Sequence, residues 1–144
     1  MRPPKPADTR RSVLMSRVRQ RGTEAELAVA VALRQLGIVY RLNVTSLPGS
    51  PDFANRKMKW AIFVHGCFWH QHTGCKRATV PKTNEDFWND KFLTNRLRDA
   101  RAIRELRQLG IRVSVIWECQ TEDPARLAAR LSARLAKVYC RAVI

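Results

Sequence analysis

The run His65-Gly66-Cys67-Phe68-Trp69-His70-Gln71-His72-Thr73-Gly74-Cys75 gathers all three histidines and two of the four cysteines of this 144-residue chain. Imidazole and thiolate bind borderline metals and move protons near neutral pH, so the window predicts a metal site, a catalytic site, or both. Structural zinc takes four Cys or His ligands in a tetrahedron, and Cys67-x4-His72-x2-Cys75 offers three from one loop. The fourth must come from elsewhere. Cys119, just past an apolar run, is favoured over Cys140 in the C-terminal tail. The bland alternative is a set of buried thiols and imidazoles satisfied by hydrogen bonds alone.

Asp52 is the second chemical candidate. In Pro51-Asp52-Phe53 a carboxylate follows a proline turn at the start of a strand, where nucleases present a magnesium ligand; a plain turn residue is the competing reading. Nuclease sites commonly add a second acid and a lysine on the next strand, and Trp60 to His65 has neither. Any such chemistry needs a modified site: the backbone carbonyl of Val64 as a metal ligand, with His65 and His70 in the proton and charge roles.

The surrounding elements must hold these groups. Thr23-Glu24-Ala25-Glu26 matches a capping box, and the apolar run after it stops at Gly37, predicting a helix over 24–36. Ile38 to Val44, a strand beginning at Asp52-Phe53, and Trp60 to Val64 read as three strands, with 48–51 a turn. A long charged helix is predicted from the N-cap Asn84 to Gly110, then a strand over 111–117. A last helix runs from Pro124 through Lys137. The order helix, three strands, helix, strand, helix predicts an α/β fold with a mixed central sheet flanked by helices, its functional loops at one sheet edge.

The 45% hydrophobic content suits one core, while 27 Lys+Arg against 12 Asp+Glu leave a net charge of +15. That imbalance predicts a polyanionic partner, with nucleic acid ahead of an anionic membrane surface. No run is long and apolar enough to span a bilayer, and no signal-peptide core stands at the start, so a cytoplasmic address is expected. There the cysteines are expected free or metal-bound. Residues 1–21 carry seven cations, among them Arg17 and Arg19, against one acid, and read as a basic arm; 22–144 read as one domain.

Ser46-Leu47-Pro48-Gly49-Ser50-Pro51-Asp52-Phe53, Phe63-Val64-His65-Gly66-Cys67-Phe68-Trp69-His70, Phe87-Trp88 with Asn95 to Asp99, and Trp117-Glu118-Cys119 together resemble the very-short-patch repair (Vsr) DNA mismatch endonucleases. The likeness runs from about Ser12 to Cys119, and the His-Gly-Cys-Phe-Trp-His string is highly specific. It implies a restriction-endonuclease-like core that nicks one strand of duplex DNA 5′ to the thymine of a T·G mismatch, the product of 5-methylcytosine deamination. By the same resemblance Asp52 and the Val64 carbonyl bind Mg2+, His70 activates water and His65 assists at the phosphate. Glu26 and Asp99 support the metal waters and the catalytic histidine. Cys67, His72, Cys75 and Cys119 hold a structural Zn2+. Two positions depart from the family pattern: Val64 replaces a threonine, and the loop before Cys75 is one residue longer.

Phe68 and Trp69 have two readings. Large aromatics usually pack in a core. The resemblance instead implies a wedge inserted beside the mismatch, aided by Met15, while the basic arm grips DNA. A mismatched step costs less to open than a matched one, so a wedge selects damage. Glu26 likewise serves either the metal or its own capping box, and Asp99, among Arg96, Arg98 and Arg101, is otherwise a solvated acid. The partner expected is T·G-mismatched duplex DNA, with other repair proteins in the pathway, and the chain is expected to act as a monomer. The rival readings are a related nuclease of restriction or mobile-element type, and a non-catalytic zinc-stabilised DNA-binding module.

Overall fold

The computed structural model describes residues 23–140, so Met15, Arg17, Arg19 and the rest of the basic arm lie outside the described residues. Helix α1 (Glu24–Gln35) begins as its sequence dictates: the Thr23 hydroxyl accepts from the Glu26 amide at 3.2 Å. It ends at Leu36 and Gly37, where Gly37 takes a φ of 72°.

Strand β1 is only Arg41–Leu42, shorter than the 38–44 expected. One side-chain bond and one turn explain the loss. The Val39 carbonyl accepts from the Asn55 side chain at 3.0 Å, and Asn43 turns left-handed with a φ of 45°. Strands β2 (Phe53–Asn55), β3 (Trp60–His65) and β4 (Arg112–Trp117) complete a four-stranded sheet in the order β1-β2-β3-β4. β1, β2 and β3 pair antiparallel, whereas β3 and β4 run parallel. The parallel pair requires a long crossover, supplied by α2 (Glu85–Gln108).

Asn84 occupies the N-cap position of α2 as expected, but caps nothing with its side chain and sits at a φ of 59°. After β4, a short 3-10 helix (Glu118–Thr121) carries Cys119 and leads to α3 (Pro124–Cys140). Asp123 Oδ1 accepts from the Ala125 and Arg126 amides at 3.0 and 3.3 Å, capping α3, which runs three residues past the Lys137 expected.

Alternation along the strands divides the core into two layers. Phe53, Trp60, Ile62 and Ile116 face one way, packed with α1 and with Leu127, Leu131 and Leu135 of α3. Ala54, Ala61 and Phe63 face the other way, against Ala102 and Leu106 of α2. By this parity His65 and Trp117, partners in the β3–β4 register, fall on the α2 side. The turn before Asp52 is pressed onto the same helix: a Cβ at Gly49, whose φ is 73°, would lie 2.5 Å from the Ala102 Cβ. Only glycine suits that position.

Candidate active site and metal centre

The histidine window begins at the last residue of β3 and continues past its C-terminal end, folded into tight turns by its own backbone. The amides of His70, His72 and Cys75 donate to the carbonyls of Gly66, Cys67 and His72 at 3.1, 3.0 and 3.1 Å. Helix α2 holds the outside of this loop. Asn95 Nδ2 donates to the Trp69 carbonyl at 3.1 Å and Arg96 Nη2 to the Gln71 carbonyl at 3.0 Å. Asp99, one helical turn beyond Asn95, reaches His70 Nδ1 at 2.6 Å. Neither Asn95 nor Arg96 was marked by residue type as a site residue; the signal available was their spacing to Asp99.

His65, His70 and Asp99 form one group, with ligand atoms all within 4.8 Å of one another. The two imidazoles stack face to face, centroids 3.9 Å apart and 4° from parallel, and His65 Nε2 lies 3.9 Å from Asp99 Oδ1. Burial pushes the His65 pKa down to about 4, reinforced by His70 and opposed by Asp99. His65 is therefore neutral at physiological pH. Asp52 is placed across the β2–β3 pair, its Oδ2 accepting from the Val64 amide at 2.7 Å. Glu26 sits half-buried in the first turn of α1, outside the three-residue group.

Cys67, His72, Cys75 and Cys119 form a second group, again with ligand atoms within 4.8 Å. The parallel pairing of β3 with β4 brings Cys119 to the loop. His72 Nδ1 lies 3.7 Å from Cys67 Sγ and 3.5 Å from Cys119 Sγ. Metal–sulfur and metal–nitrogen bonds of roughly 2.3 and 2.0 Å at a tetrahedral angle put S and N about 3.5 Å apart, so the spacing suits one zinc-sized cation. Burial pushes the Cys67 thiol up to about 12, whereas the Arg77 backbone amide pulls the Cys75 thiol below its ordinary value. Cys67 thus keeps its proton unless a cation replaces it. Arg77 ties the two halves of this centre together, pairing with Glu118 at 3.5 Å and with Glu122.

Phe68 and Trp69 are half-buried, standing neither in the core nor free in solvent. Phe68 packs edge-on against Trp69, Trp88 and Phe92 with centroids 5.1, 5.8 and 5.3 Å away, and Trp69 lies 6.1 Å from Trp88. Trp88 at the start of α2 thus joins the aromatic group. Residue type alone did not single it out, though the Phe87-Trp88 pair was visible. The Trp69 indole N–H is buried without a hydrogen-bond partner among the described residues.

A mixed α/β sheet whose strand ends lie beside a carboxylate, two stacked imidazoles, one of them held by an acid, and a three-thiol, one-imidazole group that could hold a metal ion offers an arrangement capable of acid–base chemistry. Comparison with known proteins gives the particular family. Residues 5–77 match the family model described as DNA mismatch endonuclease Vsr. The chain is 43% identical over 122 residues to the type II nicking enzyme V.XorIIP of Xanthomonas oryzae pv. oryzae, covering 85% of this chain and 89% of that protein. It is 39% identical over 131 residues to DNA mismatch endonuclease Vsr of Escherichia coli K12, covering 90% and 83%. A third relative, the type II nicking enzyme V.NmeAIP of Neisseria meningitidis, is 36% identical over 124 residues, covering 86% and 88%. This chain belongs to the Vsr family of DNA mismatch endonucleases.

Proposed function

We propose that the protein is a DNA endonuclease that nicks one strand of duplex DNA 5′ to the thymine of a T·G mismatch, using Mg2+ for chemistry and Zn2+ for structure. The observation that carries the reading is the 2.6 Å contact between His70 Nδ1 and Asp99. An Asp99 carboxylate accepting from Nδ1–H fixes the tautomer whose Nε2 lone pair is open to a water proton. His70 is then the general base. It takes that proton as the oxygen attacks phosphorus and the bond from phosphorus to the 3′ oxygen breaks, that oxygen taking a proton from solvent, which leaves 5′-phosphate and 3′-hydroxyl ends.

Neutral His65, stacked on His70, offers an N–H to the phosphate without adding a second positive charge. Asp52 and the Val64 carbonyl would hold Mg2+, with Glu26 supporting its waters; when bound, the ion stabilises charge developing on the phosphate oxygens. Cys67, His72, Cys75 and Cys119 would hold Zn2+, in keeping with a donor set of three thiolates and one imidazole.

Phe68 and Trp69 are the wedge, standing on the zinc-braced loop, with Met15 and the arm residues Arg17 and Arg19 gripping the duplex. The core is read as restriction-endonuclease-like, one domain over 22–144 with the arm at 1–21, acting as a monomer. No helix among the described residues is long and apolar enough to cross a membrane.

Labelled duplexes carrying T·G, another mismatch or none, incubated with Mg2+ or with EDTA, test the reading. A Mg2+-dependent nick confined to T·G is expected. Equal cutting of matched DNA would move the protein to the restriction or mobile-element type, and absence of any nick would leave a non-catalytic DNA-binding module.

A further inference from the structure

Four rings run without a gap from the proposed base to the proposed zinc centre. His70 stacks on His65 with centroids 3.9 Å apart; His65 meets Trp117 edge to face at 5.3 Å; Trp117 stacks on His72 at 4.1 Å, only 8° from parallel. The ladder is a consequence of topology. His65 and Trp117 are Cα partners in the parallel β3–β4 register, so their side chains leave the sheet together on the α2 face. Trp117 is pinned in turn. Its amide donates to Gln120 Oε1 at 3.0 Å, at the entrance to the 3-10 helix that carries Cys119.

We propose that Trp117 is a positioning residue for the nicking reaction, passing the rigidity of the cysteine–histidine centre through His65 to His70. This rests on the endonuclease reading above. His65 is bounded by three rings: Phe63 at 5.8 Å, His70, and Trp117. It is also buried, with 6% of its surface exposed. It cannot tilt towards β4 unless Trp117 yields, and Trp117 cannot yield while His72 lies flat against it. A cation fixing Cys67, His72, Cys75 and Cys119 therefore limits how far His65 and His70 wander from the phosphate. Small misplacements of reacting groups are expensive: about 1 Å can cost a hundredfold in rate. Trp117 contacts neither the proposed Mg2+ site nor the scissile phosphate in this reading. Its influence is on geometry alone.

The test compares Trp117→Leu, which keeps apolar bulk without a flat ring, with Trp117→Phe, which keeps a ring. Single-turnover nicking of a T·G duplex at saturating protein, zinc per chain, duplex affinity and imidazole NMR signals of the DNA-free protein are measured for both. For Trp117→Leu the nicking rate is expected to fall between about tenfold and a hundredfold, with zinc and duplex affinity retained and the His65 signals broadened. Trp117→Phe should restore most of the rate and sharpen the signals. Wild-type nicking by Trp117→Leu with zinc retained would overturn the proposal, as would loss of zinc in both variants, which would make the residue a brace for the metal only. If the wild-type protein itself does not nick, the endonuclease reading fails, and unbroadened His65 signals in Trp117→Leu would then reject the positioning role on their own.

Discussion

His70 and His72 are two residues apart in one loop, yet they fall into two different side-chain groups. His70 Nδ1 meets a carboxylate at 2.6 Å, the contact on which its proposed role as base rests. His72 Nδ1 meets two sulfurs at 3.5 and 3.7 Å and lies flat on Trp117, an arrangement that suits a ligand and hides the nitrogen from substrate. The first group is tied by hydrogen bonds and stacking to helix α2, and the second by sulfur atoms from two separated segments. What fills Nδ1 is what distinguishes the two histidines. Turns of one backbone can thus interleave a reactive group with a bracing group in eleven residues.

If that division is right, damage to the two groups must show in different measurements. The largest effect is expected from the reactive group. Asp52→Asn should abolish detectable nicking while leaving mismatch binding intact, and His70→Ala should slow nicking by about a hundredfold to ten-thousandfold, with thermal stability nearly unchanged in both. A His70→Ala protein that lost zinc would break the division at once.

The bracing group should fail the other way. Cys119→Ser is expected to drop zinc well below one per chain by elemental analysis and to lower the melting temperature strongly, because a structural metal contributes its binding energy to folding. Undiminished zinc would move the fourth ligand elsewhere.

A smaller effect is written into His65. Its folded pKa near 4 lies below the ordinary 6.5, so the unfolded chain takes up this proton first as the solution is acidified. The stability it contributes is whole above pH 6.5 and is lost as pH falls towards 4, in all on the order of 3 kcal/mol. Urea unfolding of wild type and His65→Gln between pH 7 and pH 5 should show the wild type losing more; parallel curves would show that His65 is not held neutral. Smallest of all, Thr23→Ala removes the cap of α1 and should cost about 1 kcal/mol, without effect on zinc content.

The parts of this architecture that obey local rules were readable from the residues. The capping box at Thr23, Gly37 and Pro124 marked helix ends within a few residues because caps depend on neighbouring atoms only. The Vsr resemblance was equally legible, since chemistry-bearing residues stood in a specific string. What escaped was set by partners distant in sequence. β1 shrank because the Asn55 side chain took a strand carbonyl, and Asn84 reached its expected position in an unexpected conformation. For Asp99 the resemblance implied support of the catalytic histidine while residue type alone also allowed a surface acid, and the turn of α2 lays it on His70; Trp117 was only a strand residue until register set it between two histidines. Periodicity says which face a residue occupies. It does not say which loop will be waiting there.

One measurement bears most directly on the division between a reactive and a bracing group. The purified protein is dialysed against EDTA, its zinc is counted, and nicking of a T·G duplex is followed before and after adding Mg2+. About one zinc per chain should remain, nicking should be absent, and Mg2+ alone should restore it. Nicking that persists in EDTA, or that returns only with added zinc, would contradict the account.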